Sequence, residues 1–535
     1  MSYDAIFKEW EDKAEKTQLL KRLWKKDPTL WTKDVHHHTE IRLRLGWLAL
    51  PEAMKEKVQE ITEFADEIKN AGFTSVLLLG MGGSSLAPEV FQNIFGNEAG
   101  RPKLWVLDST DPGRVKDIEA KLDLEKTLVI VSSKSGGTVE LVSLFKYFHA
   151  KIAALVGEKA GDHFVAITDP GTQLNFEAKE RDFRRIFLAP PDVGGRFSAL
   201  TYFGLVPAAL IGVPVEQILQ SADAMAKGDA ALTLGIRMAI LAEEGRDKLT
   251  LVTTPGFESF GDWVEQLVGE STGKEGVGVV PVVREKIAEA SVYGSDRFFV
   301  TFLPAWEKTE EVQRALSSFE KAGHPALKIS IQNKTDLGAE FFRWEMATAV
   351  ACALLKVNAF DQPDVQSAKD RTKAILKKMQ AGEALEERGD ERSPEEFWEN
   401  VEPGNYAAVL AFLPDRENLR QRLVAFTENI RRETKLATTL GFGPRYLHST
   451  GQLHKGGANN GVFILISSET KEDLSIPEES YTFGQLERAQ AMGDLEALES
   501  KARWVIHVRL PEPSEKALDA ACAKIEKAMK SVGVK

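Results

Sequence analysis

The chain has 535 residues, 43% hydrophobic and 28% charged, with a net charge of -12. That length allows two or three domains of a water-soluble globular protein. No apolar run reaches membrane-spanning length, the acidic balance argues against nonspecific nucleic-acid binding, and Cys352 and Cys522 offer neither a disulfide framework nor metal-site spacing. The opening "MSYDAIFKEWEDKAEK" lacks a signal peptide's apolar core, so the cytoplasm is the expected compartment.

Residues 1–70 read as helices, the last of them a regular apolar pattern that stops at Gly72. Short apolar runs then alternate with helical patterns. Strands are expected at 74–80, 103–108, 127–132, 163–168 and 185–189, and a second series at 248–255, 276–283, 297–304 and 326–332. Such alternation implies parallel sheets with helices on both faces, an α/β fold with ligands beyond the strands' carboxyl ends. "AEFFRWEMATAVACALLKVN" reads as a long buried helix. The expected division is an N-terminal helical segment (1–70), a first α/β domain (71–225) and a second (226–369). A charged helical insertion (370–435) and a C-terminal part (436–535) that completes the second domain follow.

Several stretches carry chemistry. In "LVIVSSKSGGTVELVSLF" (128–145) a buried strand breaks into Ser133, Lys134, Ser135, two glycines and Thr138 before a helix. Such a turn aims unpaired N–H groups and the helix dipole at an anion, and phosphate is the natural guest; an ordinary capped helix start is the competing reading. "LLLGMGGSSLAP" repeats the pattern after the first strand, with Gly83 and Ser84, and fails the dinucleotide fingerprint because Ser85 takes the third glycine's place. "WVEQLVGESTGKEG" is no Walker loop, since Val268 replaces its first glycine, but Gln266 and Glu270 share one helix face. "DVGGRFSALT" sets Arg196 beside two glycines, suited to a developing oxyanion or to a structural ion pair. His448 and His454 lie six apart, which is not zinc spacing, so a general acid–base role is favoured. Lys369 opens no chemistry by itself, and the triple histidine at 36–38 reads as surface.

Six ordered motifs, "GMGGSSLAP", "SSKSGGTVE", "GGRFSALT", "ESTGKEG", "FDQPDVQSAK" and "HSTGQ", resemble those of the glucose-6-phosphate isomerase family. The chain looks most similar to the isomerase part of bifunctional transaldolase/phosphoglucose isomerases. The resemblance implies two doubly wound sugar-isomerase (SIS) domains, a cytoplasmic homodimer and a sugar 6-phosphate substrate, with no cofactor or metal. It implies a phosphate site at Ser84, Ser133, Lys134, Ser135 and Thr138, and Glu270 as base with Gln266 beside it. It also implies Arg196 for the enediol, His448 for ring opening, and Lys369. The family's histidine motif normally precedes its lysine motif; here it follows, so His448 must arrive by another route, a second subunit being one. No transaldolase is expected, because the residues before the first strand cannot hold a barrel of roughly 250 residues. Dual glucose/mannose 6-phosphate specificity and a non-catalytic phosphosugar-binding regulator are the alternatives.

Overall fold

The computed structural model describes residues 3–381, 383, 392–469 and 472–533. Its strands form three parallel sheets. The first holds β1 (Ser75–Leu79), β2 (Lys103–Leu107), β3 (Thr127–Ser132), β4 (Phe164–Thr168) and β5 (Arg185–Leu188), in the order β2-β1-β3-β4-β5. The second holds β6 (Lys248–Val252), β7 (Val280–Val282), β8 (Arg297–Pro304) and β9 (Ala326–Ile331), ordered β7-β6-β8-β9. The third holds β10 (Tyr406–Phe412), β11 (Ala437–Phe442), β12 (Gly461–Ser468) and β13 (Trp504–Leu510), ordered β11-β10-β12-β13. All three wind alike: the first strand lies inside, the second flanks it, and the chain then crosses to the other side. That reversal opens a crevice at the carboxyl ends of the first and third strands.

The third sheet corrects the expected division. Residues 370–435 are no helical insertion: they contain β10, the strand through which the third sheet is wound, and the helix Glu417–Thr434 that leads to β11. Nor does the C-terminal part complete the second sheet, whose order closes without it.

Packing explains how three sheets serve one site. Along β1, Val76 and Leu78 face one core while Leu77 and Leu79 face another, the period-2 alternation of a strand buried on both sides. The first core runs on into the second sheet through Leu249, Leu251 and Val300. Between them lies the helix Leu337–Leu355, with Phe341, Phe342 and Trp344 buried; each such side chain contributes roughly 1.5–3 kcal/mol by burial. The second core takes Ile375 and Leu376 of the helix Val365–Gln380, and Phe483 and Leu486 of the helix Phe483–Ser500, which belongs to the third unit. Two elements from late in the chain are thereby laid across the first sheet. The second and third units meet at a buried ion pair, where Glu285 accepts two hydrogen bonds from Arg297, at 3.0 and 3.1 Å, and one from the Thr438 hydroxyl at 3.2 Å.

Candidate active site

The site begins at the crevice of the first sheet. The turn after β1, Gly82–Ser84, and the loop after β3, 133–138, lie side by side, and the Ser132 hydroxyl donates to the Ser84 carbonyl at 3.2 Å. Gly82 has φ +53°, and a Cβ on Gly83 would stand 2.0 Å from the carbonyl oxygen of Gly195. Only glycine lets this turn close against the one that carries Arg196. In the β3 loop the Ser133 hydroxyl accepts from the Gly136 N–H at 3.1 Å. The helix Val139–Val156 then starts at Thr138 with no side-chain cap on its first N–H groups, and Ser135 and Gly137 are exposed beside it. This is a cradle open to an anion.

Glu270 lies at the end of the helix Glu258–Thr272 and is 2% exposed. Its Oε2 stands 3.6 Å from the Arg196 guanidinium and accepts from the Gln362 amide at 2.7 Å. Burial pushes its carboxyl up to about 7, against the pull of Arg196, His448, Lys274 and Lys369. Gln266, one helical turn earlier, donates to the carbonyl of His448 at 2.7 Å and thus ties the base helix to the third unit. Arg196 donates to the Ser271 hydroxyl at 2.7 Å and to the carbonyls of Ala359 and Asp361.

His448 comes from the same chain. After β11 a turn, Arg445–His448, carries it over the carboxyl end of the first sheet, so the reversed motif order is resolved by the third unit. Its Nε2 lies 2.9 Å from Oε1 of Glu140, in the first turn of the cradle helix. Burial opposes ionisation of Glu140, but His448 beside it holds the carboxyl below its ordinary value. Gln490 donates to the same oxygen at 2.7 Å, and its own carbonyl accepts from Thr110 at 2.7 Å. His448, Lys369, Glu140, Ser135 and Thr138 line one cavity of about 140 Å³.

The expected residues therefore converge, with one difference. Lys134 Nζ is 2.5 Å from Asp169 and is absent from that lining, so its ammonium is engaged outside the cradle. Glu140 and Gln362 were missed, although both stand inside quoted motifs. A first-turn glutamate reads as a complement to the helix dipole, and a lone glutamine carries no signal until its partner is known. His454 is buried among Tyr406, Tyr446 and Phe463, which holds it neutral and makes it structural. At 36–38, His38 contacts the Thr32 carbonyl, and no group of His, Cys, Asp and Glu among the described residues is arranged to hold a metal. Among them, too, no helix is long and apolar enough to cross a membrane.

A buried carboxyl held near neutrality, an arginine beside it, a histidine–carboxylate pair and an open anion cradle are thus assembled on a parallel α/β fold, the groups that acid–base chemistry on an anionic substrate calls for. The model of the phosphoglucose isomerase family matches residues 49–236, the stretch that holds both loops and Arg196. A curated relative from Methanococcus maripaludis, named probable glucose-6-phosphate isomerase, is 29% identical over 377 residues, covering 62% of this chain and 84% of that one. The structure of a hypothetical protein from Thermus thermophilus aligns with TM-score 0.59 at 25% identity, over 69% of this chain and 97% of the other. A glucose-6-phosphate isomerase from Chlamydia trachomatis aligns with TM-score 0.51 at 21% identity, over 61% and 74%, and shares the fold.

Proposed function

We propose that this protein is a glucose-6-phosphate isomerase, which interconverts D-glucose 6-phosphate and D-fructose 6-phosphate. The observation that carries the reading is Glu270: a buried carboxyl pushed up to about 7, oriented by Gln362, 3.6 Å from Arg196 and within the electrostatic reach of His448 and Lys369, which line the cavity beside the anion cradle. The 6-phosphate sits on Ser84, Ser133, Ser135 and Thr138, and that remote binding energy aligns the reacting end. His448, poised by Glu140, and Lys369 move protons between the ring oxygen and O1 as the ring opens. Glu270 then takes the proton from C2 and returns it to C1, one group serving both steps because its affinity for protons matches neutral pH. The negative charge that develops on the enediolate faces Arg196. General acid–base catalysis supplies roughly 10²–10⁴-fold, and positioning and electrostatics supply the rest.

The same reading includes the homodimer and the cytoplasmic setting implied by the resemblance; light scattering on the purified chain tests the first. The activity is tested with fructose 6-phosphate and a chelator, with glucose 6-phosphate followed by a coupled assay and mannose 6-phosphate offered alongside. Rapid glucose 6-phosphate formation is expected. Tight phosphosugar binding without turnover would replace the isomerase by a phosphosugar-binding regulator.

A further inference from the structure

Lys274 lies just past the base helix, 1% exposed, and no step above uses it. A lysine taken out of water must be held by fixed acceptors, and here they are on one turn. Its Nζ donates to the Asn358 carbonyl and, at 2.9 Å, to the Asp361 carboxylate. Arg196 donates to the two neighbouring carbonyls, Ala359 and Asp361. Asn358 closes the turn on itself, its side-chain oxygen accepting from the Phe360 N–H at 3.0 Å. The next residue is Gln362, whose amide holds Glu270 at 2.7 Å.

The turn starts close to the base helix because the helix Leu337–Leu355, whose Cys352 thiol reaches the Ser271 carbonyl, stops at Lys356 with φ +60°. Two buried cations then grip the carbonyls of residues 358, 359 and 361, and Gln362 follows with its amide on Glu270. We propose that Lys274 is a positioning residue of this isomerase: its ammonium pins the 358–361 turn, so that Gln362 and Arg196 are held in register with Glu270, and it adds a fixed positive charge behind the base.

The charged and titratable groups facing Lys274 are Arg196 from the 195–197 turn, Asp361 from the pinned turn, Cys352 from the central helix and Glu270 from its own helix. Burial first, then Arg196, lowers the Lys274 ammonium to about 8, while Asp361 opposes that. A group lowered in this way is charged below that pH and loses its proton above it. Activity supported by the ammonium is therefore present at neutral pH and falls as the pH rises through about 8. Its field also works on Glu270 in the opposite sense to burial. Removing the charge raises the Glu270 carboxyl further, so the acid limb of the pH–rate profile moves to higher pH.

The inference rests on the isomerase reading, and its test separates the two. Full kinetics from about pH 5.5 to 9.5 are measured on the wild-type chain, Lys274→Met and Lys274→Arg, with circular dichroism and melting curves for each. In Lys274→Met, kcat is expected to drop at least about tenfold with KM within about threefold, and the acid limb to move upward. Lys274→Arg keeps the charge without the fit: its acid limb stays at the wild-type position while kcat falls. Wild-type turnover with an unchanged Lys274→Met profile would overturn the positioning role and leave the isomerase standing. So would an acid limb that moves away from the wild-type position in Lys274→Arg, a comparison that holds even where Lys274→Met does not fold. A wild-type chain without isomerase activity would overturn both.

Discussion

The first and third units follow the same winding, and in each a long helix comes after the third strand; what differs is the start of that helix. After β3, Thr138 offers no side-chain cap to the helix Val139–Val156, and the neighbouring serine and glycine are exposed. After β12, the helix Phe483–Ser500 is closed from within. Thr482 and Gln485 cap each other at 3.2 and 3.0 Å, and the Asp473 carboxylate accepts the Gly484 N–H at 2.7 Å. The protein's own carboxylate occupies the place an outside anion would take. The helix after β8 in the second unit carries two first-turn carboxylates, Glu310 and Glu311, whereas the cradle helix carries Glu140, already paired with His448. A shared topology thus presents one open helix start, in the first unit, while the second and third units bring Glu270 and His448 to it, and a few residues at a helix start make the difference.

The comparison separates binding from chemistry, and substitutions can test it. Glu270→Gln touches neither loop; kcat should fall by at least about 10², with fructose 6-phosphate still bound, as steady-state and binding measurements would show. The wild-type acid limb should lie near pH 7, because Glu270 works as a base only when ionised and burial pushes it up to about 7. Thr138→Asp gives the first unit the third unit's internal anion. It should raise KM for the sugar phosphate at least about tenfold with a smaller change in kcat, because the new charge competes for the same N–H groups. Asp473→Asn undoes the third unit's filling; denaturant melts should show a loss of about 1 kcal/mol, with kinetics unchanged. A control lies outside both loops. Glu345 is fully buried, and neither carboxyl oxygen has a hydrogen-bond partner among the described residues, so burial holds it well above its ordinary 4.5. A raised folded value means stability that is complete below 4.5 and is lost as the pH rises. Glu345→Gln should therefore gain stability relative to wild type between about pH 5 and pH 8.

The first two sheets were legible because their strands are β-branched apolar runs bounded by turn residues, "TLVIVS" being typical. "YAAVLAF" was not: alanine and leucine favour helix, and only its burial on both faces makes it a strand. "ATTLGF" is too short and polar to stand out; "WVIHVRL" at 504–510 does read as a strand, but with β10 taken for charged helix it has no sheet of its own to join. At the site, Arg196, His448 and Lys369 all lie within electrostatic reach of Glu270. What stayed hidden were pairings across hundreds of residues, Glu140 with His448 and Gln362 with Glu270. No local pattern encodes such contacts.

His448 lies 310 residues after Thr138 in the chain. At roughly 5–20 residues per second, a ribosome takes on the order of a quarter of a minute to a minute to make that stretch. The cradle is therefore synthesised well before the residues that act on what it holds. On the proposed reading, a nascent or stalled chain has the cradle loops but lacks the ring-opening histidine, and translation of the third unit supplies both that residue and the helix Phe483–Ser500 that packs on the first sheet.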